Sequence, residues 1–218
     1  MKSFIFGQTS QGLPILAHLF GHSGPNVLVL GGVHGDEWEG IVAAHALINR
    51  FSKAFSYKMR LTIVPMFNTD GAIRGERKNA QGIDLNRNLP TADWTAEVAE
   101  ERYYPGKEPC EAPENRALVE WLDKNRPQFV LSLHSWKPLL NINGNCRAQA
   151  ELIAKHTGYE IKDSIGYPTP GCLGTYCGLE REMPTLTYEI ERGLDPSVIV
   201  GKHAPAIIEC LKLSENPS

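Results

Sequence analysis

His34 and Glu37 stand three positions apart in Gly31-Gly32-Val33-His34-Gly35-Asp36-Glu37, where the apolar run Val27-Leu28-Val29-Leu30 gives way to a glycine turn and then to a helix-like stretch. An imidazole nitrogen and a carboxylate oxygen are ordinary zinc ligands, and at the start of a helix this spacing lets them converge on one ion. The spacing alone is a weak signal, so the context has to carry the reading. A third candidate, His134, ends a second apolar run, Phe129-Val130-Leu131-Ser132-Leu133, far along the chain. Two ligands close together and one remote is the layout of a catalytic zinc, which keeps its fourth position for water. Structural zinc is closed by four ligands, with cysteine prominent, and no Cys-x-x-Cys occurs here. A lone histidine in such a place is more often a hydrogen-bonded core residue; its position after a second apolar run turns His134 toward the metal reading.

The other chemistry-bearing residues recur at the same kind of position. Asn68 follows the apolar run Leu61 to Phe67, and Glu189 lies near the end of Thr185-Leu186-Thr187-Tyr188-Glu189-Ile190. In open α/β sheets the ligand crevice lies beyond the carboxyl ends of the strands, so His34, Asn68, His134 and Glu189 are expected to meet there. A carboxylate among β-formers is expensive to bury unless it is paired or functional. Strand alternation offers the plainer reading that Glu189 faces solvent. Arg77 and Asp84-Leu85-Asn86-Arg87-Asn88 add forked cations suited to gripping a carboxylate in a bidentate way, which implies an anionic substrate.

The elements that must position these residues alternate between strands and helices. Phe4 to Phe6 and Leu13 to Phe20 read as a hairpin around Gln11-Gly12. Strands are expected at Val27 to Gly32, Leu61 to Phe67, Phe129 to Leu133 and Thr185 to Ile190. Helices are expected at Glu37 to Phe51, Glu114 to Asn125, Arg147 to Thr157 and Val198 to Leu213. This order implies an α/β three-layer sandwich: a mixed, largely parallel sheet with helices on both faces and an antiparallel edge at the N-terminus. Asn68 to Trp94 and Thr95 to Pro113 lack an element signal and are assigned to the active-site face. The tail Ser214 to Ser218 reads as frayed.

With 218 residues and 42% hydrophobic content, residues 1–218 are expected to form one catalytic domain. A net charge of −3 gives no basic footprint for nucleic acid. No stretch is long and apolar enough for a membrane span or a signal segment, so neither nucleic acid nor membrane is expected as a partner. Five scattered cysteines suit a reducing compartment. Cys172 and Cys177 are expected to be free thiols, and the protein to be cytoplasmic.

Taken in order, His34-x-x-Glu37, Asn68-Thr69-Asp70-Gly71, Arg77-Lys78-Asn79, Asp84-Leu85-Asn86-Arg87-Asn88, His134 and Glu189 resemble the signature of the carboxypeptidase A-like zinc metallopeptidases over nearly the whole chain. Gly7-Gln8-Thr9-Ser10-Gln11-Gly12-Leu13-Pro14-Ile15, and Gly166 to Gly171 followed by Tyr176-Cys177, are similar to the bacterial branch that releases meso-diaminopimelate from the γ-D-glutamyl bond of murein tripeptide during cell-wall recycling. The resemblance implies one zinc per chain on His34, Glu37 and His134, with Glu189 as general base and acid. It implies Arg77 as oxyanion stabiliser and Asn86 with Arg87 as the clamp on a terminal carboxylate. Asp84 would hold His34, and Tyr176 would line the substrate pocket. The implied substrate is a small peptide with a free terminal carboxylate, murein tripeptide above all. An N-acyl amino acid deacylase of the aspartoacylase or succinylglutamate desuccinylase kind shares these ligands and stands as the alternative, and a zinc-bound peptide-recognition protein without turnover is a third reading.

Overall fold

Residues 1–215 are described by a computed structural model whose centre is an eight-stranded sheet. Its strands are β1 (Lys2–Gln8), β2 (Pro14–Phe20), β3 (Asn26–Gly31), β4 (Arg60–Val64), β5 (Phe129–Trp136), β6 (Leu139–Asn143), β7 (Ile161–Lys162) and β8 (Thr185–Glu191). They lie in the order β1-β2-β4-β3-β5-β8-β6-β7. The core β4, β3, β5 and β8 is parallel, while β1 and β2 run antiparallel at one side and β6 meets β8 antiparallel at the other.

Val27, Leu28, Val29 and Leu30 are all fully buried because β3 is covered on both faces, the setting in which a strand reads as a continuous apolar run. Alternation sends Val27 and Val29 into one apolar cluster and Leu28 and Leu30 into the other. The first cluster is roofed by α1 (Trp38–Lys53), α4 (Arg147–Thr157) and α6 (Ala204–Lys212), and the second by α3 (Pro113–Asn125). The remaining α-helices are the short α2 (Thr69–Arg74) and α5 (Pro196–Val198). The expected three-layer sandwich is therefore the observed fold.

Several boundaries differ from expectation, each for a local reason. β4 stops at Val64 because Pro65 brings no N–H to the ladder; the chain then rejoins β3 through Phe67 N–H to Gly31 O (2.9 Å) and Asn68 N–H to Gly32 O (2.8 Å). β5 continues to Trp136, so His134 lies within the strand, opposite Glu189 of β8. α2 forms inside a stretch expected to be irregular, capped by the Asn68 side chain, which accepts from Gly71 N–H (2.9 Å). The last helix is broken into α5, a wide π-helical stretch Ile199–His203 and α6, where Pro205 removes a backbone donor. β6 and β7 were not expected at all. Ser214 and Glu215 close a 3-10 turn, with Ser214 buried and the Glu215 carboxylate accepting from Lys58 N–H (2.6 Å), so they are anchored instead of frayed; residues 216–218 lie outside the described residues.

Candidate metal centre and substrate cleft

The sheet face that carries the second cluster ends in a cleft at the carboxyl ends of the parallel strands. His34 leaves β3 after a glycine turn, and Gly35 brings it against α2 so closely that a Cβ there would lie 2.1 Å from the Gly71 carbonyl carbon. Glu37 stands at the N-cap position of α1 with its carboxylate turned to the histidines, and His134 points to the same side as Ser132 and, across the ladder, Glu189 and Thr187. All three candidate ligands are buried.

His34 Nδ1 lies 2.8 Å from Glu37 Oε1, His134 Nδ1 lies 2.9 Å from Glu37 Oε2, and the two Nδ1 atoms are 3.2 Å apart. Ligands of a tetrahedral zinc at about 2.1 Å would stand roughly 3.4 Å from one another, so this spacing fits one ion with modest opening. The outer nitrogens are taken: His34 Nε2 donates to Asp84 Oδ1 (3.1 Å) and His134 Nε2 to Ser132 Oγ (3.0 Å). That arrangement leaves both Nδ1 atoms for a metal and fixes the rings, which is what outer hydrogen bonds do for metal-bound imidazoles. Among the described residues these three are the group of histidine, cysteine or carboxylate donors close enough to share an ion, every donor atom within 4.8 Å of the others.

Asp84 accepts four donors: His34 Nε2, the Asn86 backbone N–H (2.9 Å), and Arg77 Nε and Nη2 (3.0 and 2.8 Å). Burial alone would raise its pKa, but His34 and Arg77 outweigh it and hold the carboxyl far below the usual range. Glu37 follows the same pattern, its burial overridden by the two histidines. Arg77 turns Nη1 toward the ligands, 3.2 Å from His34 Nδ1. Glu189 behaves in the opposite way. Burial, with the Glu37 charge adding to it, pushes its pKa up to about 7 against the pull of His134 and Arg77, and its Oε2 is buried without a hydrogen-bond partner.

The cleft holds about 110 Å³ of open space. Asn86 and Arg87 both line it, as expected: Asn86 Oδ1 accepts from Leu173 N–H (2.9 Å), and the buried Arg87 guanidinium donates to Asn86 O (2.7 Å) and stacks 5.2 Å from the Tyr103 ring centroid. Arg77 and Arg102 flank the same ring at 5.3 and 5.1 Å. Tyr103 in turn meets Tyr167 (6.2 Å), and Tyr167 meets Trp136 edge-on (6.1 Å), so an aromatic arc borders the opening.

Tyr176 does not join the cleft. The π-helical turn Gly174–Leu179 directs it inward to the second apolar cluster, 1% exposed, with Arg181 stacked 3.6 Å from its ring centroid. Tyr167, from the same segment, stands in the place expected of it. Asn141, Asn143, Thr187 and Arg192 also line the cleft and were not singled out from sequence. The polar rhythm Asn141-x-Asn143 and Thr187-x-Glu189 was the available signal for the first three. All five cysteines are free thiols, and no helix among the described residues is long and apolar enough to cross a membrane.

The zinc carboxypeptidase family profile matches residues 1–170. Murein peptide amidase A of Vibrio campbellii is 28% identical over 222 residues, covering 95% of this chain and 86% of that protein. The crystal structure of murein-tripeptide amidase MpaA from Escherichia coli O157 superposes with a TM-score of 0.82 at 25% identity, covering 97% of this chain and 92% of that one. A shorter similarity, 44% over 68 residues, covers 31% of this chain and 20% of the N-alpha-acetyl-L-2,4-diaminobutyric acid deacetylase of Halomonas elongata.

Proposed function

The chain belongs to the zinc carboxypeptidase family and is a peptidase, and from that premise we propose that it releases a terminal diamino acid from murein peptides by cutting the γ-D-glutamyl–meso-diaminopimelate bond. The observation that carries this reading is the placement of a buried, unpartnered Glu189 carboxylate in one cleft with a three-donor metal site and with Arg87, a buried cation that has no carboxylate beside it among the described residues.

His34, Glu37 and His134 would hold the zinc, one per chain. Bound there, the ion supplies Lewis acidity, lowering the pKa of water toward about 7 and polarising a carbonyl. Glu189 takes the proton from the attacking water and delivers it to the departing amine; a carboxylate with a raised pKa suits both transfers. Arg77, braced on Asp84, offers Nη1 to the negative charge that develops on the carbonyl oxygen. Asn86 and Arg87 bind the terminal carboxylate of the leaving residue, and Asp84 keeps the His34 ring in place. The reading makes residues 1–218 one catalytic domain, working in the cytoplasm on recycled wall fragments.

The test is release of diaminopimelate from murein tripeptide by zinc-loaded protein, run beside N-acetylaspartate and succinylglutamate, with chelation abolishing turnover. A His34→Ala, His134→Ala double variant should lose the zinc itself; unchanged zinc content would remove the metal assignment. The short similarity to a deacetylase favours N-acyl amino acid deacylation as the second reading, and preferential cleavage of the acyl amino acids would select it.

A further inference from the structure

The cleft has two sides relative to the ligands. Asn86 and Arg87 are tied to the segment 171–174 by Leu173 N–H on Asn86 Oδ1 (2.9 Å) and by Leu89 N–H on Gly171 O (3.0 Å). Gly174 closes that side against β6, where a Cβ would stand 2.3 Å from Asn143 Oδ1. This is the side that takes the leaving residue. Arg192 also lines the cleft, but its contacts are with the residues that flank the ligands. It follows β8 directly, its backbone N–H donates to Trp136 O (3.0 Å), and its Nη2 donates to Asp36 O (2.7 Å) and pairs with Asp36 Oδ2 (2.7 Å). Asp36 immediately precedes the ligand Glu37, and Trp136 lies just past the ligand His134.

We propose that Arg192, braced by Asp36, reads a carboxylate on the acyl side of the scissile bond, so that the enzyme selects peptides whose cleaved carbonyl belongs to an acidic residue. The inference rests on the reading given under Proposed function, which sets the direction of the substrate. A peptide with its terminal carboxylate on Arg87 and its scissile carbonyl at the ligands runs its acyl portion past Arg192. A guanidinium carries five N–H donors, and among the described residues only Nη2 is engaged; Nε and Nη1 remain, on a side chain that lines the cleft and is 40% exposed. The Asp36 contact fixes the fork in advance, so less freedom is lost when a second carboxylate docks. A γ-linked glutamyl residue presents such a group: its free α-carboxylate, separated from the scissile carbonyl by the two side-chain methylenes and the α-carbon. An ordinary α-linked neutral residue presents nothing there, which makes Arg192 the residue that separates the two linkages.

The experiment compares kcat/KM of the zinc-loaded enzyme on murein tripeptide and on the analogue whose D-glutamyl α-carboxylate is a carboxamide, the terminal diaminopimelate being left intact. Wild type should favour the free carboxylate by about 10- to 100-fold, the worth of hydrogen bonds to a charged group. In Arg192→Gln the ratio should collapse toward unity, and Arg192→Lys should restore part of it. Because both peptides are measured on the same protein, a general loss of folded enzyme cancels from the ratio. Equal rates in wild type, or a preference that survives Arg192→Gln, would overturn the assignment while leaving the murein reading intact. Absence of turnover on both peptides would overturn that reading, and this proposal with it.

Discussion

At the ligand centre the chain has already partnered most of its polar atoms, whereas along the rim of the same cleft it has left charge unspent. Asp84 accepts four donors, Glu37 Oε2 takes Ser135 N–H (3.2 Å), and neighbouring Glu39 is held by Ser135 Oγ and Gly193 N–H (2.6 Å each). On the rim, Arg87 and Arg102 stack on Tyr103 without a carboxylate partner among the described residues, and Arg192 keeps donors to spare. A buried group is expensive to leave unsatisfied, so the centre is fixed by its own hydrogen bonds, while the rim waits for a ligand to complete it. The centre should therefore govern metal and turnover, and the rim should govern which peptide is taken.

The sharpest way to break this division is Glu189→Gln, which keeps the shape of the centre but cannot shuttle a proton. Turnover should fall by about 10² to 10⁴, the usual worth of general acid and base work, with zinc content and fold retained. Near-normal kcat would refute the role. Asp84→Asn comes next: loss of the carboxylate behind His34 should weaken zinc binding by about 10- to 100-fold in a competition titration. Affinity equal to wild type would mean that Asp84 serves the fold alone. On the rim, converting the terminal carboxylate of the substrate to a carboxamide leaves Arg87 facing a neutral group. A loss of about 2 kcal/mol or more is expected for an unpaired charge in a largely desolvated site, about 30-fold in kcat/KM. Equal rates on the two peptides would exclude the clamp.

The same contrast explains how much could be read from the chain. His34, His134 and Glu189 are legible because each lies at or near the end of a run of apolar residues or β-formers, and the parallel strands carry such ends to one side; Glu37 is legible from its spacing to His34. The central layers followed from alternation of strands and helices. What escaped was set by long-range pairing. β8 inserts between β5 and β6, so the short segment Leu139–Asn143 pairs with a strand far downstream and not with β5 just before it. Arg192 and Tyr103 reach the rim only through contacts made by the folded chain, with Asp36 and Trp136 for one and with Arg87 and Tyr167 for the other. The resemblance puts Tyr176 in the substrate pocket because its loop corresponds to one that borders the site, yet the π-helical turn faces it into the core.

Glu189 is the exception inside the centre, since its Oε2 has no partner, and its behaviour with pH separates it from its neighbours. In the metal-free protein burial raises its pKa from 4.5 to about 7, with Glu37 adding to the rise. A carboxyl whose pKa is higher in the folded than in the unfolded chain contributes stability that is fully present below the unfolded value and is lost as pH climbs through the folded one. Glu37 and Asp84, both held low by their partners, have the reverse sign: their contribution is present above the ordinary carboxylate range and is lost on acidification. Gln at position 189 cannot ionise. The stability of wild type relative to Glu189→Gln should thus decline with rising pH between about 5 and about 7, by at most about 1.4 kcal/mol per pH unit, and level off above. Urea unfolding of both proteins in chelator across that range measures it. Parallel stability curves would show that Glu189 is already solvated or paired, and would return it to the company of the satisfied groups around it.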